Sequence, residues 1–330
     1  MRAFAIAEYK GPLREVEVPD PVIGEHDVLI AVDAAGLNHL DEKIRTGEFK
    51  QMLPYALPLT LGHDLAGTVV AVGAKVTSFA AGNEVYARPG TTQIGTFAQR
   101  IAVAESDVAL RPTSITVAEA ASLPLVALTA WQALVERGQV KPGQKVLIHA
   151  GAGGVGAIAI QLAKHLGAHV ATTASAADEE FVRSLGADEV IDYRTDDFEQ
   201  RLRGYDLVLD SLGGENPAKA LRVQKTGGLA KRISGPPDPD FARIAQLNPV
   251  LRAAIWALSS KVRRQAKKLG VRYQFLFMRA SGDQLREIAA LVDRGVITPV
   301  LGKTVPFEEI PLALTALARG GVRGKVVAVR

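Results

Sequence analysis

At 330 residues, 48% of them hydrophobic, the chain is long enough for two domains, each with its own core. It has no cysteine, which excludes disulfides and thiolate metal ligands and makes a reducing, cytoplasmic compartment the expectation. Its net charge of +4 is unevenly placed: residues 222–279 hold thirteen Lys/Arg against two Asp/Glu, and the remainder is acidic by seven charges.

The N-terminal run MRAFAIAEYK meets Glu8 and Lys10 after a short apolar patch, so no signal peptide is expected. The first hundred residues read as β-rich, with DVLIAVDAAGL, AGTVVAVG, GNEVYARP and FAQRIAV as strands. From about residue 117 the composition turns helical, with Pro124 separating two helices and Gly138 ending the second. The longest apolar stretch there, LPLVALTAWQALV, is too short to span a bilayer. Strands and helices then alternate: KVLIHA, HVATTA, EVIDY, DLVLDSL and YQFLFMRA as strands, VGAIAIQLAKHLG and DEEFVRSLG as helices. That alternation predicts a parallel sheet covered by helices on both faces. The last fifty residues return to a mixed pattern, so a nucleotide-type domain is inserted in the middle and both chain ends build the other.

Between the strand KVLIHA and the next helix stands Gly151-Ala-Gly153-Gly154-Val155-Gly156, a match to G-x-G-x-x-G. The first glycine permits a tight turn, the second lets a pyrophosphate approach the backbone, and the third lets helix pack on strand. The helix start adds N–H groups and a positive dipole end for phosphate. Where an NAD site places an acidic residue, after the second strand, this chain has Thr172, Thr173 and Ser175. With Arg194 beyond the third strand, these favour NADP(H); Asp178 and Glu179 count against it.

Six stretches occur in order: GLNHLDEKIRTG, GHDLAGTVVAVG, GNEVYA, SLPLVALTAWQAL, KVLIHAGAGGVG and SLGADEVIDYR. Together they resemble the medium-chain dehydrogenase/reductase superfamily, in its zinc-free, zeta-crystallin-like quinone oxidoreductase branch. The resemblance implies an α/β protein with a GroES-like β-rich catalytic domain at 1–121 and 281–330. It also implies a doubly wound, parallel-sheet Rossmann domain at 122–280, a cleft between the two, and a homodimer. Zinc-dependent relatives bind their catalytic metal through two cysteines and a histidine. Here Asn38 stands at the first cysteine position and His63 remains alone, so no metal is expected.

Carried over by position, Asn38 resembles a cofactor or substrate contact. Asp41 and Arg45 resemble a buried pair that shapes the site, and Tyr55 a tyrosine near the substrate. Thr129 resembles a residue at a helix start that meets the nicotinamide; Tyr193 and Arg194 resemble the adenine-ribose side. His63 reads either as a hydrogen-bonded residue of the wall or as a polar contact to substrate.

Without zinc the acceptor must already be electrophilic: a quinone, or a carbon–carbon double bond conjugated to a carbonyl. Asn38, Tyr55, His63 or the nicotinamide ribose hydroxyls are the candidate donors to its oxygen, and water can supply the proton. Residues 249–270, PVLRAAIWALSSKVRRQAKKLG, read as one helix with an apolar stripe of Leu251, Ile255, Leu258, Val262 and Leu269 and a basic remainder. The plain reading is a packed helix with a solvated basic face. A second is weak contact with an anionic membrane. RNA is disfavoured, because no stacking platform of aromatics accompanies the charge. A dinucleotide-binding protein acting through this helix, with little turnover, is the alternative to the enzyme.

Overall fold

The computed structural model describes residues 1–212 and 216–330. The chain divides into two compact units, Met1–Leu128 with Arg279–Arg330, and Thr129–Met278. In chain order the first unit contributes β1 (Arg2–Ile6), β2 (Arg14–Glu17), β3 (Asp27–Leu37), β4 (Leu59–Thr60), β5 (Asp64–Val72), β6 (Glu84–Ala87), β7 (Arg100–Ala104) and β8 (Val108–Leu110). The second holds β9 (Lys145–Ile148), β10 (His169–Ala174), β11 (Glu189–Asp192), β12 (Tyr205–Asp210), β13 (Gln224–Arg232) and β14 (Arg272–Phe275). The chain then returns to the first unit for β15 (Leu301–Pro306) and β16 (Lys325–Val329).

In the first unit, one sheet runs β15-β16-β3-β5-β6-β8 with β7 also on β3, and a smaller one runs β2-β1-β4. β3 is the central strand. Val28, Ile30, Val32 and Ala34 alternate inward, and its last residues, Ala35 to Leu37, are buried without a break. They pack with Leu65, Val69, Val85, Val103 and Val326 in one core. Each such aliphatic side chain contributes roughly 1.5–3 kcal/mol by leaving water.

The second unit is a six-stranded parallel sheet ordered β11-β10-β9-β12-β13-β14. The order reverses direction between β9 and β12, the switch point at whose strand ends doubly wound sheets bind ligands. Val146, Leu147 and Ile148 are fully buried, as expected of a strand covered on both faces.

Three sequence expectations need revision. β13 is a strand that the pattern did not predict, because QKTGGLAKR carries two glycines and three cations. Its last five residues are nonetheless buried. The Lys231 ammonium donates to Gln274 Oε1, and burial lowers its pKa to about 8. Arg232 Nε lies 3.0 Å from Asp210 Oδ2, an ion pair by distance without hydrogen-bond alignment. The segment 249–270 is two helices, Pro249–Leu258 and Ser260–Lys268. Of its expected apolar stripe, Ile255 is buried but Leu258 and Leu269 are exposed. Pro124 does begin a helix, Pro124–Trp131, after the short helix Val117–Ala121.

Candidate active site

The first unit holds a buried polar cluster where β3 ends. Gly36 pairs with Asp64 on β5, and its other neighbour strand, β16, places Lys325 just before Val326, which pairs with Leu37. Gly36 permits this approach: a Cβ there would stand 2.5 Å from Ala121 O and 2.9 Å from Asp64 Cβ. Lys325 Nζ donates to Asp64 Oδ2 at 3.0 Å, to Leu37 O at 2.8 Å and to Asn38 Oδ1. Asn38 Nδ2 donates to the same Asp64 oxygen at 2.9 Å, and Asp64 Oδ1 accepts from Leu125 N at 2.7 Å.

Helix His39–Arg45 continues the cluster. Asp41 reaches back to the Asn38 N–H at 2.8 Å with one oxygen, and its other oxygen lies 2.6 Å from His63 Nδ1. Both side chains are fully buried, and His63 Nε2 has no partner among the described residues. Asp41 therefore does not pair with Arg45. Arg45 makes a two-pronged contact with Glu42 at 2.7 Å and donates to Gly11 O at 2.7 Å. Both carboxylates lie within helical reach of Arg45, Glu42 three positions before it and Asp41 four, but Asp41 is taken by the Asn38 N–H and His63, which leaves Glu42 for the guanidinium.

All three side chains expected as oxygen donors are engaged within the protein. The Asn38 amide is engaged at both ends, and His63 is closed off from solvent. Tyr55 is half-buried; its hydroxyl donates to Thr91 O at 2.7 Å, and burial pushes its pKa to about 12. Arg88, which the sequence reading passed over, is also buried. Its Nη1 donates to Pro89 O at 2.8 Å and its Nε has no partner among the described residues. Burial lowers its pKa against the pull of Asp64, Tyr55, Asp107 and Asp41.

These residues do not fit zinc. The set offers one histidine whose Nδ1 is held by Asp41, an amide, and a carboxylate already neutralised by the Lys325 ammonium, which would repel a cation. Among the described residues no group of three or more His, Cys, Asp or Glu could hold a metal ion.

The second unit presents the glycine loop at the end of β9. Gly153 is the N-cap of helix Gly154–His165. In its first turn the N–H groups of Gly154, Val155 and Gly156 have no intrahelical acceptor. The glycines divide their roles as expected. A Cβ on Gly156 would meet Ala150 O at 2.2 Å and Gly151 Cα at 2.8 Å, and one on Gly151 would meet Thr172 Oγ1 at 2.2 Å. A Cβ on Gly153 would meet only Ala150 O, at 3.3 Å, leaving that backbone open to a pyrophosphate.

The hydroxyls expected to face a 2′-phosphate are engaged elsewhere. Thr172 Oγ1 donates to Ile148 O at 2.7 Å, and Thr173 Oγ1 accepts from Ala150 N at 3.1 Å and lies 3.2 Å from His149 Nδ1. Ser175 donates to Asp178 Oδ2 at 2.7 Å. Tyr193 and Arg194 remain exposed, with the guanidinium 5.7 Å from the ring centroid. Thr129 is buried in the sixth position of helix Pro124–Trp131, not at a helix start.

His149 supports this loop through Thr173 and meets Phe198 edge-on, with ring centroids 4.7 Å apart. Burial lowers its pKa from 6.5 to about 4. The unfolded chain therefore takes up a proton between pH 6.5 and 4 that the folded chain refuses. The contribution is complete above pH 6.5 and is lost as pH falls to 4, a change of about 3 kcal/mol. Denaturant titrations across this range should show a steep loss in the wild type and a flatter one in His149→Gln. Parallel pH profiles for the two proteins would refute this role.

Residues 24–113 match the alcohol dehydrogenase GroES-like domain and residues 185–327 match the zinc-binding dehydrogenase family. The mitochondrial NAD(P)H oxidoreductase RTN4IP1 of Mus musculus is 36% identical over 92% of this chain and 81% of its own length. The chloroplastic NADPH-dependent alkenal/one oxidoreductase of Arabidopsis thaliana is 35% identical over 99% of this chain and 79% of its own length. Among solved structures, the quinone oxidoreductase from Coxiella burnetii superposes with a TM-score of 0.87 at 30% identity, covering 100% of this chain and 99% of that one. With its GroES-like sequence match, its doubly wound sheet and its glycine loop, the chain belongs to the medium-chain dehydrogenase/reductase superfamily, among its quinone oxidoreductase-like members.

Proposed function

We propose that the chain is an NADP(H)-dependent oxidoreductase that passes hydride to a quinone or to an α,β-unsaturated carbonyl, an enone or enal. The observation that carries this reading is the open backbone at Gly153 between two glycines whose Cβ positions are filled. The relatives that act on alkenals, alkenones and quinones support the acceptor class. Bound at the loop, the reduced dinucleotide supplies the hydride. Gly151 and Gly156 hold the loop closed on β9, and Gly154, Val155 and Gly156 offer N–H groups to the pyrophosphate. Arg194, stacked with Tyr193, is the cation for a 2′-phosphate, since Thr173 and Ser175 are engaged.

In the first unit, Tyr55 is the donor to the acceptor oxygen: the residue is half-exposed, its hydroxyl stays protonated, and that hydroxyl turns from Thr91 O to the acceptor. Asn38, Asp41 and His63 hold the surrounding wall. A homodimer and a cytoplasmic location belong to the same proposal; the mouse and Arabidopsis relatives carry mitochondrial and chloroplastic names.

The test is a panel of quinones, enones, aldehydes and alcohols assayed with NADPH, following its absorbance and identifying products. Saturated carbonyls from enones, or hydroquinones from quinones, are the expected products. Tyr55→Phe should lower kcat by about 10- to 100-fold, the range for one lost oxygen donor. Efficient oxidation of simple alcohols, or tight NADPH binding without turnover across the panel, would overturn the reading.

A further inference from the structure

Residues 241–271 carry seven Lys/Arg and no Asp/Glu. They include helices Pro249–Leu258 and Ser260–Lys268, which meet at Ser259. The inward side is narrow. Ile255 is the buried residue of the first helix and Ala266 of the second, the latter clustered with Leu221, Ala230 and Val271. The outward side of the first helix is apolar: Val250 is 78% exposed, Trp256 59% and Leu258 64%, and Ile244, at the end of helix Pro239–Ile244 before it, is 59% exposed. Ala253, Ala254 and Ala257 lie among them, also exposed. Scattered apolar residues on a surface are ordinary, but four large ones within fifteen positions, followed by a basic helix, make a patch.

Trp256 is also held in place. The Arg263 guanidinium lies 5.3 Å from its ring centroid, donates to Trp256 O at 2.9 Å and to Ser259 Oγ at 3.1 Å. Arg252, Lys261, Arg264, Lys267 and Lys268 are exposed around it.

We propose that this helix pair seats the unit Thr129–Met278 on an anionic phospholipid bilayer. Exposed indole and aliphatic side chains with cations beside them match the boundary between acyl chains and acidic headgroups. A second copy of this chain fits the patch poorly, because a two-fold contact would bring the same seven cations together. Nucleic acid fits poorly as well, since Trp256 is the one aromatic residue of the two helices and offers no run of stacking faces.

The experiment uses the full chain with phosphatidylcholine vesicles prepared with and without phosphatidylglycerol. Co-sedimentation should appear with the anionic vesicles alone and weaken as salt screens the charges. Brominated lipids should quench tryptophan emission, and Trp256→Phe should abolish that quenching while Trp131 continues to emit. Neutralising Lys261, Arg264, Lys267 and Lys268 together to Gln should weaken partitioning by on the order of a hundredfold. Leu258→Asp should weaken it as well, and thermal melts check that these surface changes leave the fold intact. No binding to anionic vesicles at low ionic strength overturns the proposal, as does binding without quenching of Trp256. If Leu258→Asp dissolves self-association in the absence of lipid, a second copy covers the face and the proposal fails.

Discussion

Replacing Gly156 by valine should abolish NADPH binding and destabilise the second unit, whereas replacing Gly153 by valine should abolish binding at a much smaller cost in stability. The difference follows from what each new side chain would touch. At Gly156 the Cβ stands 2.2 Å from Ala150 O and 2.8 Å from Gly151 Cα, both backbone atoms that no rotamer change can move aside. The helix must lift from β9, and overpacking of this kind costs about 1–3 kcal/mol. At Gly153 the nearest atom is 3.3 Å away, and its φ of −79° suits any residue. A valine there asks its neighbour to give by a few tenths of an ångström and is a poorer N-cap than glycine, a small cost beside that at Gly156, and it occupies the space where a pyrophosphate meets the backbone. Calorimetric titration with NADPH should show both variants weakened at least ~100-fold, about 2.7 kcal/mol. Thermal unfolding should separate them, with the clearly larger fall in midpoint for Gly156→Val. Wild-type affinity in Gly153→Val would mean that the loop does not carry the pyrophosphate.

The glycine loop was legible because its function is local: six backbone positions in a row, bounded by an apolar strand and a periodic helix. The strands β9, β10 and β12 were legible for the same reason, as short apolar runs between turn residues. β13 was not, because its polar residues are satisfied by partners far along the chain. Lys231 finds Gln274 and Arg232 finds Asp210, and neither pairing leaves a periodic signal. The site residues divide in the same way. Motif position placed Asn38, Asp41 and His63 in the cluster, yet could not say what each one touches. Arg45 and Thr173 carried suitable chemistry at suitable spacing, and the fold turned each toward a nearer partner. Lys325 had no signal at all: it meets Asp64 across 261 positions of sequence, by virtue of strand order and of the missing side chain at Gly36.

That unsignalled lysine should be among the most sensitive positions in the first unit. Lys325→Met removes the ammonium from Asp64, which is fully buried, and among the described residues leaves the carboxylate hydrogen bonds from Asn38 Nδ2 and Leu125 N and the more distant pull of Arg88. Breaking one side of a buried pair costs about 3–5 kcal/mol, because the remaining charge is neither solvated nor compensated. A domain stable by about 5–15 kcal/mol would lose a large part of its margin. The double variant Lys325→Met with Asp64→Asn removes both charges and keeps the side-chain oxygen that accepts from the backbone, so it should recover much of the loss. Denaturant unfolding of the wild type, both single variants and the double variant gives the coupling between the two residues. A cost below about 1 kcal/mol for Lys325→Met would show that Asp64 is not held as a buried charge. The double variant also separates stability from function. The ammonium fixes the Asn38 amide oxygen, whereas the Asn38 backbone N–H donates to Asp41, so losing Lys325 releases that oxygen without cutting the link to His63. If the folded double variant keeps its kcat with enones or quinones, the ammonium serves the fold alone. If kcat falls while the midpoint of unfolding is restored, the cluster positions the wall of the site, and the lysine does so from the far end of the chain.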